Sequence, residues 1–92
     1  MKKCVKITIK GIVDNSYMQS FILPQARDSG VEGICQKIDD QTIRIIMTGR
    51  EDQIDAFLDR LHTKVASEKN VEIEVEAFLQ QTDFRGIFRV IE

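Results

Sequence analysis

Three glutamates at alternate positions form the densest group of potentially reactive side chains in the sequence. Glu72, Glu74 and Glu76 alternate with apolar residues, so in a strand they project from one face. Three carboxylates on one face could bind a cation, or they could be solvated or form ion pairs with lysines on a neighbouring strand. Lys6 and Lys10 alternate with apolar residues in the same way. We therefore expect solvated or lysine-paired glutamates here and no metal site.

Few other side chains suggest catalytic or redox chemistry. His62 falls near the C-terminal end of a predicted helix, and we expect a solvated side chain beside the helix dipole and no catalytic role. Cys4 and Cys35 are too few for a disulfide framework and lack metal-ligand spacing. We expect both cysteines to be small buried apolar residues of a reduced, cytoplasmic protein.

Length and charge narrow the possible partners. The chain has 92 residues, and its 13 Lys and Arg against 15 Asp and Glu give a net charge of −2. Neutralising nucleic-acid or lipid phosphates needs a surplus of cations, and crossing a membrane needs an apolar stretch of about 20 residues. The sequence offers neither feature. We expect one domain spanning residues 1–92, a monomer, with no nucleic-acid or membrane partner.

Apolar periodicity predicts the secondary structure. Period-two alternation or β-branched runs predict five strands, and helical spacing of Ile54, Phe57, Leu58, Leu61 and Val65 predicts the longer of two helices. The predicted strands cover 4–12, 31–38, 42–48, 71–77 and 86–91. Residues 78–85 read as a loop.

Local signals predict where the two helices begin and end. Proline is tolerated only in the first helical turn, so Pro24 predicts that the first helix begins near Ser20 or Phe21. It should end before Gly30. The spacing of Thr48 and Glu51 predicts a capping box at the start of the second helix.

The order of elements predicts an α+β fold. It is a ferredoxin-like β-α-β-β-α-β sandwich with an extra terminal strand, in which a mixed, largely antiparallel sheet carries two helices on one face. This plan hosts many functions, so the fold alone does not identify one.

The chain resembles the acylphosphatase family across nearly its whole length. That family has a first strand ending in Gly-x-Val-Gln-Gly-Val-x-Phe-Arg, followed by a helix and a Gly-x-x-Gly-Trp-Val-x-Asn strand. The corresponding residues here are 11–19, GIVDNSYMQ, and 30–37, GVEGICQK, with Gly49 at the end of a later strand. The spacing agrees without gaps from Gly11 to Gly49.

The resemblance implies hydrolysis of the carboxyl-phosphate bond of small acyl phosphates without metal or cofactor. In such enzymes, backbone N–H groups of a loop before the first helix cradle the phosphoryl group. An arginine at the end of that loop binds the phosphate, and an asparagine orients the attacking water. The loop positions here are Asp14, Asn15, Ser16, Tyr17, Met18 and Gln19. The resemblance also implies a small phosphorylated molecule or inorganic phosphate as ligand.

The two catalytic positions carry different residues from the family pattern. Gln19 stands where the family has arginine, and Lys37 stands where it has asparagine. Asn15 replaces a loop glycine, and Asp14 adds a carboxylate. Three hypotheses follow: a weak or inactive enzyme; an active enzyme in which Lys37 supplies the positive charge and Gln19 orients water; or a non-enzymatic module that binds an anion or a protein.

Overall fold

A computed structural model describes residues 2–11, 18–66, 71–77 and 86–91. Its elements follow one another in the order predicted from the sequence. They are β1 (Lys2–Lys10), a π-helical turn (Met18–Ile22), α1 (Leu23–Ser29), β2 (Glu32–Asp39), β3 (Thr42–Arg50), α2 (Glu51–Ala66), β4 (Glu72–Ala77) and β5 (Phe88–Ile91).

The five strands form one mixed sheet in the order β4-β1-β3-β2-β5. β3 lies at the centre and pairs antiparallel with β1 and with β2. β4 adds antiparallel to β1 at one edge, and β5 adds parallel to β2 at the other. This arrangement confirms the predicted α+β, ferredoxin-like fold with an extra terminal strand.

Alternation along the strands creates two different faces of the sheet. On one face lie the buried residues of the strands, among them Ile7, Ile45 and Cys35, and they pack against the helices. The helices contribute Ile22, Ala26, Ile54, Phe57 and Leu61, each fully shielded from solvent. This confirms the predicted apolar stripe of α2. We call the opposite side, which carries Lys6, Arg44, Ile46, Ile34 and Arg89, the open face.

The glutamates of β4 form ion pairs with lysines of β1 across the open face. Lys6 Nζ lies 3.6 Å from Glu76 Oε2, and Lys10 Nζ lies 3.7 Å from Glu74 Oε1. The predicted pairing is therefore confirmed. Exposed pairs of this kind contribute less than about 1 kcal/mol each to stability.

Both helix starts differ in detail from the prediction. α1 has Pro24 in its first turn, as expected, but a π-helical turn precedes it. The predicted capping box at Thr48 is wrong, because Thr48 lies inside β3 and pairs with Cys4. The start of α2 is capped two residues later, where the Arg50 N–H donates to Gln53 Oε1 at 2.9 Å. The predicted end of α1 is confirmed by Gly30, which adopts a φ of 78° and caps the helix.

The two cysteines lie on opposite faces of the sheet. Cys35 is completely buried on the helix-covered face, as predicted. Cys4 is only half-buried and alternates with buried Val5, which places it on the open face. β3 lies between their strands, so the fold keeps the two thiols apart.

At Gly33, two backbone segments approach each other closely. A Cβ built on Gly33 would lie 2.1 Å from the carbonyl oxygen of Ile46, and the φ of Gly33 is 154°. Gly86 also has a positive φ, of 75°, but a Cβ there would meet nothing within 4 Å. A side chain at Gly33 would therefore meet both steric exclusion and backbone strain, whereas a side chain at Gly86 would meet backbone strain alone.

We predict that Gly33→Ala lowers the free energy of unfolding by about 3 kcal/mol or more, because overpacking and backbone strain each cost on the order of 1–3 kcal/mol. Gly86→Ala is the matched control and should cost only about 1 kcal/mol, from strain alone. Urea denaturation measures both. Equal losses in the two variants would contradict the close approach at Gly33.

The buried thiol gives a second prediction. Desolvation raises the pKa of Cys35 from its ordinary 9.0 to about 12. Above pH 9 the unfolded chain therefore loses a proton that the native protein keeps, and this stabilises the unfolded state. Below pH 9 the contribution of Cys35 is constant. Between pH 9 and 12 the free energy of unfolding should fall by about 1.4 kcal/mol per pH unit from this group.

Cys35→Ala isolates this contribution, because the other titrating groups are common to both proteins. Denaturation of the two proteins at several pH values should give a stability difference that is flat below pH 9. The difference should then shift in favour of the variant above pH 9. A parallel dependence across the whole range would show that Cys35 ionises in the native state.

Candidate functional site

One end of the sheet, where strands begin or end, brings together three chain segments that are distant in sequence. β1 and β2 both end there, and β3 begins there, because β1 and β2 each pair antiparallel with β3. The N–H of Gly11, directly after β1, donates to the carbonyl of Gln41 at 2.7 Å. This bond ties the chain directly after β1, three residues before the predicted phosphate loop, to the β2–β3 turn.

The β2–β3 turn is held by a carboxylate. Asp39 Oδ1 accepts a hydrogen bond from the N–H of Gln41 at 2.9 Å. This bond, together with those from Thr42, lowers the pKa of Asp39, so the carboxylate keeps its charge at neutral pH. The turn residues are Asp40 and Gln41, between the ends of the two strands.

A shallow cleft of about 430 Å³ opens beside this turn. Its lining includes Lys10, Asp39 and Asp40. The ammonium of Lys10 is already paired with Glu74, so a doubly charged phosphoryl group would meet two carboxylate residues here and no unpaired cation of the lining. The cleft on this side of the turn therefore does not favour phosphate.

Lys37 lies near the end of β2, at this same end of the sheet. It pairs with Ile43 of β3 and follows Cys35 in the alternation, which places it on the helix-covered face. The pairing register shifts between Lys37 and Asp39, so the chain bulges directly after Lys37. Bulges redirect side chains and are frequent beside functional sites. The residue itself is half-buried.

Gln19 is the second residue of the π-helical turn Met18–Ile22 and is exposed. Ile22, at the end of the same turn, is fully buried and anchors the turn in the core. π-helical turns are rare and occur often at functional sites. The elements predicted from the sequence do not include this turn. Its signal was Pro24, whose nitrogen carries no hydrogen to donate to the carbonyl of Ser20, as a regular α-helix would require.

Most of the remaining positions of the predicted loop lie outside the described residues. Asp14, Asn15, Ser16 and Tyr17 lie outside the described residues, and Met18 is placed by its backbone. That Gln19 and Lys37 face one bound phosphate therefore stays a prediction.

A groove between α1 and α2 was not anticipated from the sequence. It has a volume of about 600 Å³, and its lining includes Phe21 and two cations of α2, Arg60 and Lys64. Lys64 Nζ lies 5.8 Å from the centre of the Phe21 ring, and Arg60 Nη1 donates to Gln25 Oε1 at 3.1 Å. The i, i+4 spacing of Arg60 and Lys64 was the available signal for one cationic side of α2.

The structure resembles solved acylphosphatases along its whole length. The acylphosphatase of Bacillus subtilis superposes with a TM-score of 0.78 at 17% identity, and each chain covers 100% of the other. That of Coxiella burnetii gives a TM-score of 0.77 at 16% identity, over 98% of this chain and 93% of that one. At these identities the likeness shows the fold.

A larger protein contains a similar unit. HypF of T. kodakarensis matches all of this chain with a TM-score of 0.77 and 25% identity, but the match covers only 12% of the HypF chain. A search of curated proteins finds no match to the sequence.

The sequence itself decides the family. The family model of acylphosphatase matches residues 5–89, nearly the entire chain. The matched region includes the segment before α1 and strand β2, which are the two parts of the sequence that resemble the family pattern. The chain therefore belongs to the acylphosphatase family.

Proposed function

We propose that this domain binds small phosphorylated molecules or inorganic phosphate through residues 14–19, and that it hydrolyses acyl phosphates weakly or not at all. The observation that carries the proposal is Gln19 at the position of the family's arginine. Cys4 and Cys35, on opposite faces of the sheet, suit a reducing compartment, so the proposed location is the cytoplasm.

The loss of one positive charge is the physical reason to expect low activity. Hydrolysis of an acyl phosphate transfers the phosphoryl group to water and releases a carboxylate. The protein must mainly position the reactants and stabilise negative charge on the equatorial phosphoryl oxygens. Arginine supports this with a permanent charge and two parallel N–H donors. The amide of Gln19 can donate hydrogen bonds but has no charge.

Lys37 supports a competing proposal in which the two roles are exchanged. The residue brings an ammonium group to the helix-covered face of β2, at the end of the sheet where β1 also ends. In this proposal Lys37 neutralises the phosphoryl group, and the amide of Gln19 orients the water. A lysine offers a point charge on a flexible chain and no planar pair of donors. We therefore favour the weak or inactive enzyme.

We predict that the natural protein hydrolyses benzoyl phosphate near the background rate and that Gln19→Arg/Lys37→Asn gains activity. Restoring one donor to a comparable oxyanion site changes rates by on the order of 10²–10³. Hydrolysis is followed by the loss of benzoyl phosphate absorbance, with the two single variants measured beside the double variant.

Gln36→Arg is the matched control for this experiment. It makes the same substitution one residue before Lys37 but on the open face, so it should leave the rate unchanged. Ordinary turnover by the natural protein that disappears in Lys37→Met would contradict the main proposal and support exchanged roles. No gain in the double variant would show that the loop itself no longer supports catalysis.

Anion binding without catalysis is the second candidate function. Backbone N–H groups bind phosphate without a particular side chain, so the replacement of arginine by Gln19 weakens this ability without abolishing it. The Gly11 to Gln41 bond supports it, because it fixes the chain three residues before the loop.

We predict that millimolar inorganic phosphate shifts the amide NMR signals of residues 15–19 and leaves those of α2 in place. Gln19→Arg should tighten binding, because it restores a cation beside the phosphate. Sodium chloride at equal ionic strength is the control for screening. Signals of residues 15–19 that stay unchanged at millimolar phosphate would contradict the anion-binding proposal.

A further inference from the structure

The first helical segment runs along the helix-covered face, antiparallel to β2. Ile22, just before α1, and Ala26, within it, are both buried, so the segment lies along the sheet and contacts β2 and β5. Only Gly30 and Val31 join α1 to β2, so the chain turns back where α1 ends. The start of the segment therefore lies toward the end of the sheet where β2 finishes.

The lengths of these two elements bring Gln19 level with Lys37. From Ser29 back to Gln19, ten residue steps cover about 15 Å at the helical rise of ~1.5 Å per residue. From Glu32 to Lys37, five steps of β2 cover about 17 Å at ~3.3 Å per residue. The π-helical turn that carries Gln19 therefore lies near the end of β2 that carries Lys37, on the same face of the sheet.

A lysine at this position changes the chemistry open to a bound acyl phosphate. An asparagine amide can orient water by hydrogen bonds, whereas the neutral amine of a lysine is itself a nucleophile. The acyl carbon of an acyl phosphate is an electrophile, because phosphate is a good leaving group. An amine held beside such a ligand reacts faster than an amine that meets it by diffusion.

We propose that Lys37 is acylated by an acyl phosphate bound at residues 14–19. This inference rests on the proposed phosphate-binding function and names a reaction of its ligand. The neutral amine of Lys37 forms a bond to the acyl carbon, and the bond from that carbon to the bridging phosphate oxygen breaks. Phosphate leaves with the electron pair of that bond and takes up one proton from the amine. The product is an amide, so each chain reacts once and then stops.

Two reagents that carry the same acyl group test the proposal on the natural protein. Benzoyl phosphate contains the phosphate that residues 14–19 should bind, and the N-hydroxysuccinimide ester of benzoic acid contains none. Peptide mass spectrometry measures benzoylation of Lys37 and of Lys6, which is also half-buried but lies on the open face. The ratio of Lys37 to Lys6 benzoylation should be at least about tenfold higher with benzoyl phosphate, because the bound reagent is held beside Lys37.

Inorganic phosphate provides a competition experiment. At millimolar concentration it should slow the reaction of Lys37 with benzoyl phosphate and leave that of Lys6 unchanged, because it occupies the same loop. Sodium chloride at equal ionic strength is the control for screening. A ratio of Lys37 to Lys6 benzoylation that is the same for both reagents would overturn the proposal.

Gln19→Glu tests the loop without replacing Lys37. A carboxylate there repels the phosphoryl group, so the preference of Lys37 for benzoyl phosphate over the ester should fall at least about tenfold. Gln36→Glu is the matched control, since it introduces the same charge beside Lys37 but on the open face. Circular dichroism establishes that both variants are folded. Equal losses of preference in the two variants would contradict acylation from a bound ligand.

Amide NMR separates failure of this proposal from failure of the proposed function. Phosphate-dependent shifts of residues 15–19 without preferential benzoylation of Lys37 would overturn the acylation and leave phosphate binding in place. Unchanged signals of residues 15–19 would contradict phosphate binding itself, and the acylation proposal would fail with it. Shifts of these signals together with preferential benzoylation of Lys37 would support both proposals.

Discussion

Pairing of β3 with both β1 and β2 is the constraint on which the other elements depend. β3 lies between its two neighbours along nearly its whole length, and its inward residues Ile43, Ile45 and Met47 are buried. Because the three strands place their apolar residues on the same face, that face must be covered. α1 and α2 supply the cover, with Ile54 and Phe57 fully buried. Neither described helix covers the opposite face.

The same pairing creates the end of the sheet at which the candidate site lies. β1 and β2 run in the same direction on either side of β3, so Gly11, directly after β1, and the last residues of β2 lie at the same end of the sheet. The two stretches 11–19 and 30–37, in which the family resemblance lies, begin and finish at this end, respectively. This end of the sheet is therefore set by the fold, whereas the proposed chemistry depends on the side chains Gln19 and Lys37. This chain keeps the family fold but has the neutral Gln19 in place of the arginine, so the fold is kept where the charge is not.

Local periodicity predicted most of the architecture, and non-local pairing explains where it fell short. The alternation of Glu72, Glu74 and Glu76 predicted β4 and its ion pairs with β1, because a strand has a fixed period of two. The capping box at Thr48 was wrong because pairing with β1 carries β3 on to Arg50, beyond the local helix signal. The π-helical turn was missed because Pro24 was used only to place the first turn of a regular helix.

By itself, the sequence determined the order of the elements, the inward residues of α2 and the absence of arginine at position 19. These follow from periods and spacings within short segments. Only the tertiary structure decided that Gly33 must be glycine, because the oxygen that excludes a side chain there belongs to Ile46 of the neighbouring strand. It also decided that Glu76 and Arg89 end a single row across the sheet. Such facts require the register between strands, and register is set by contacts between residues far apart in the chain.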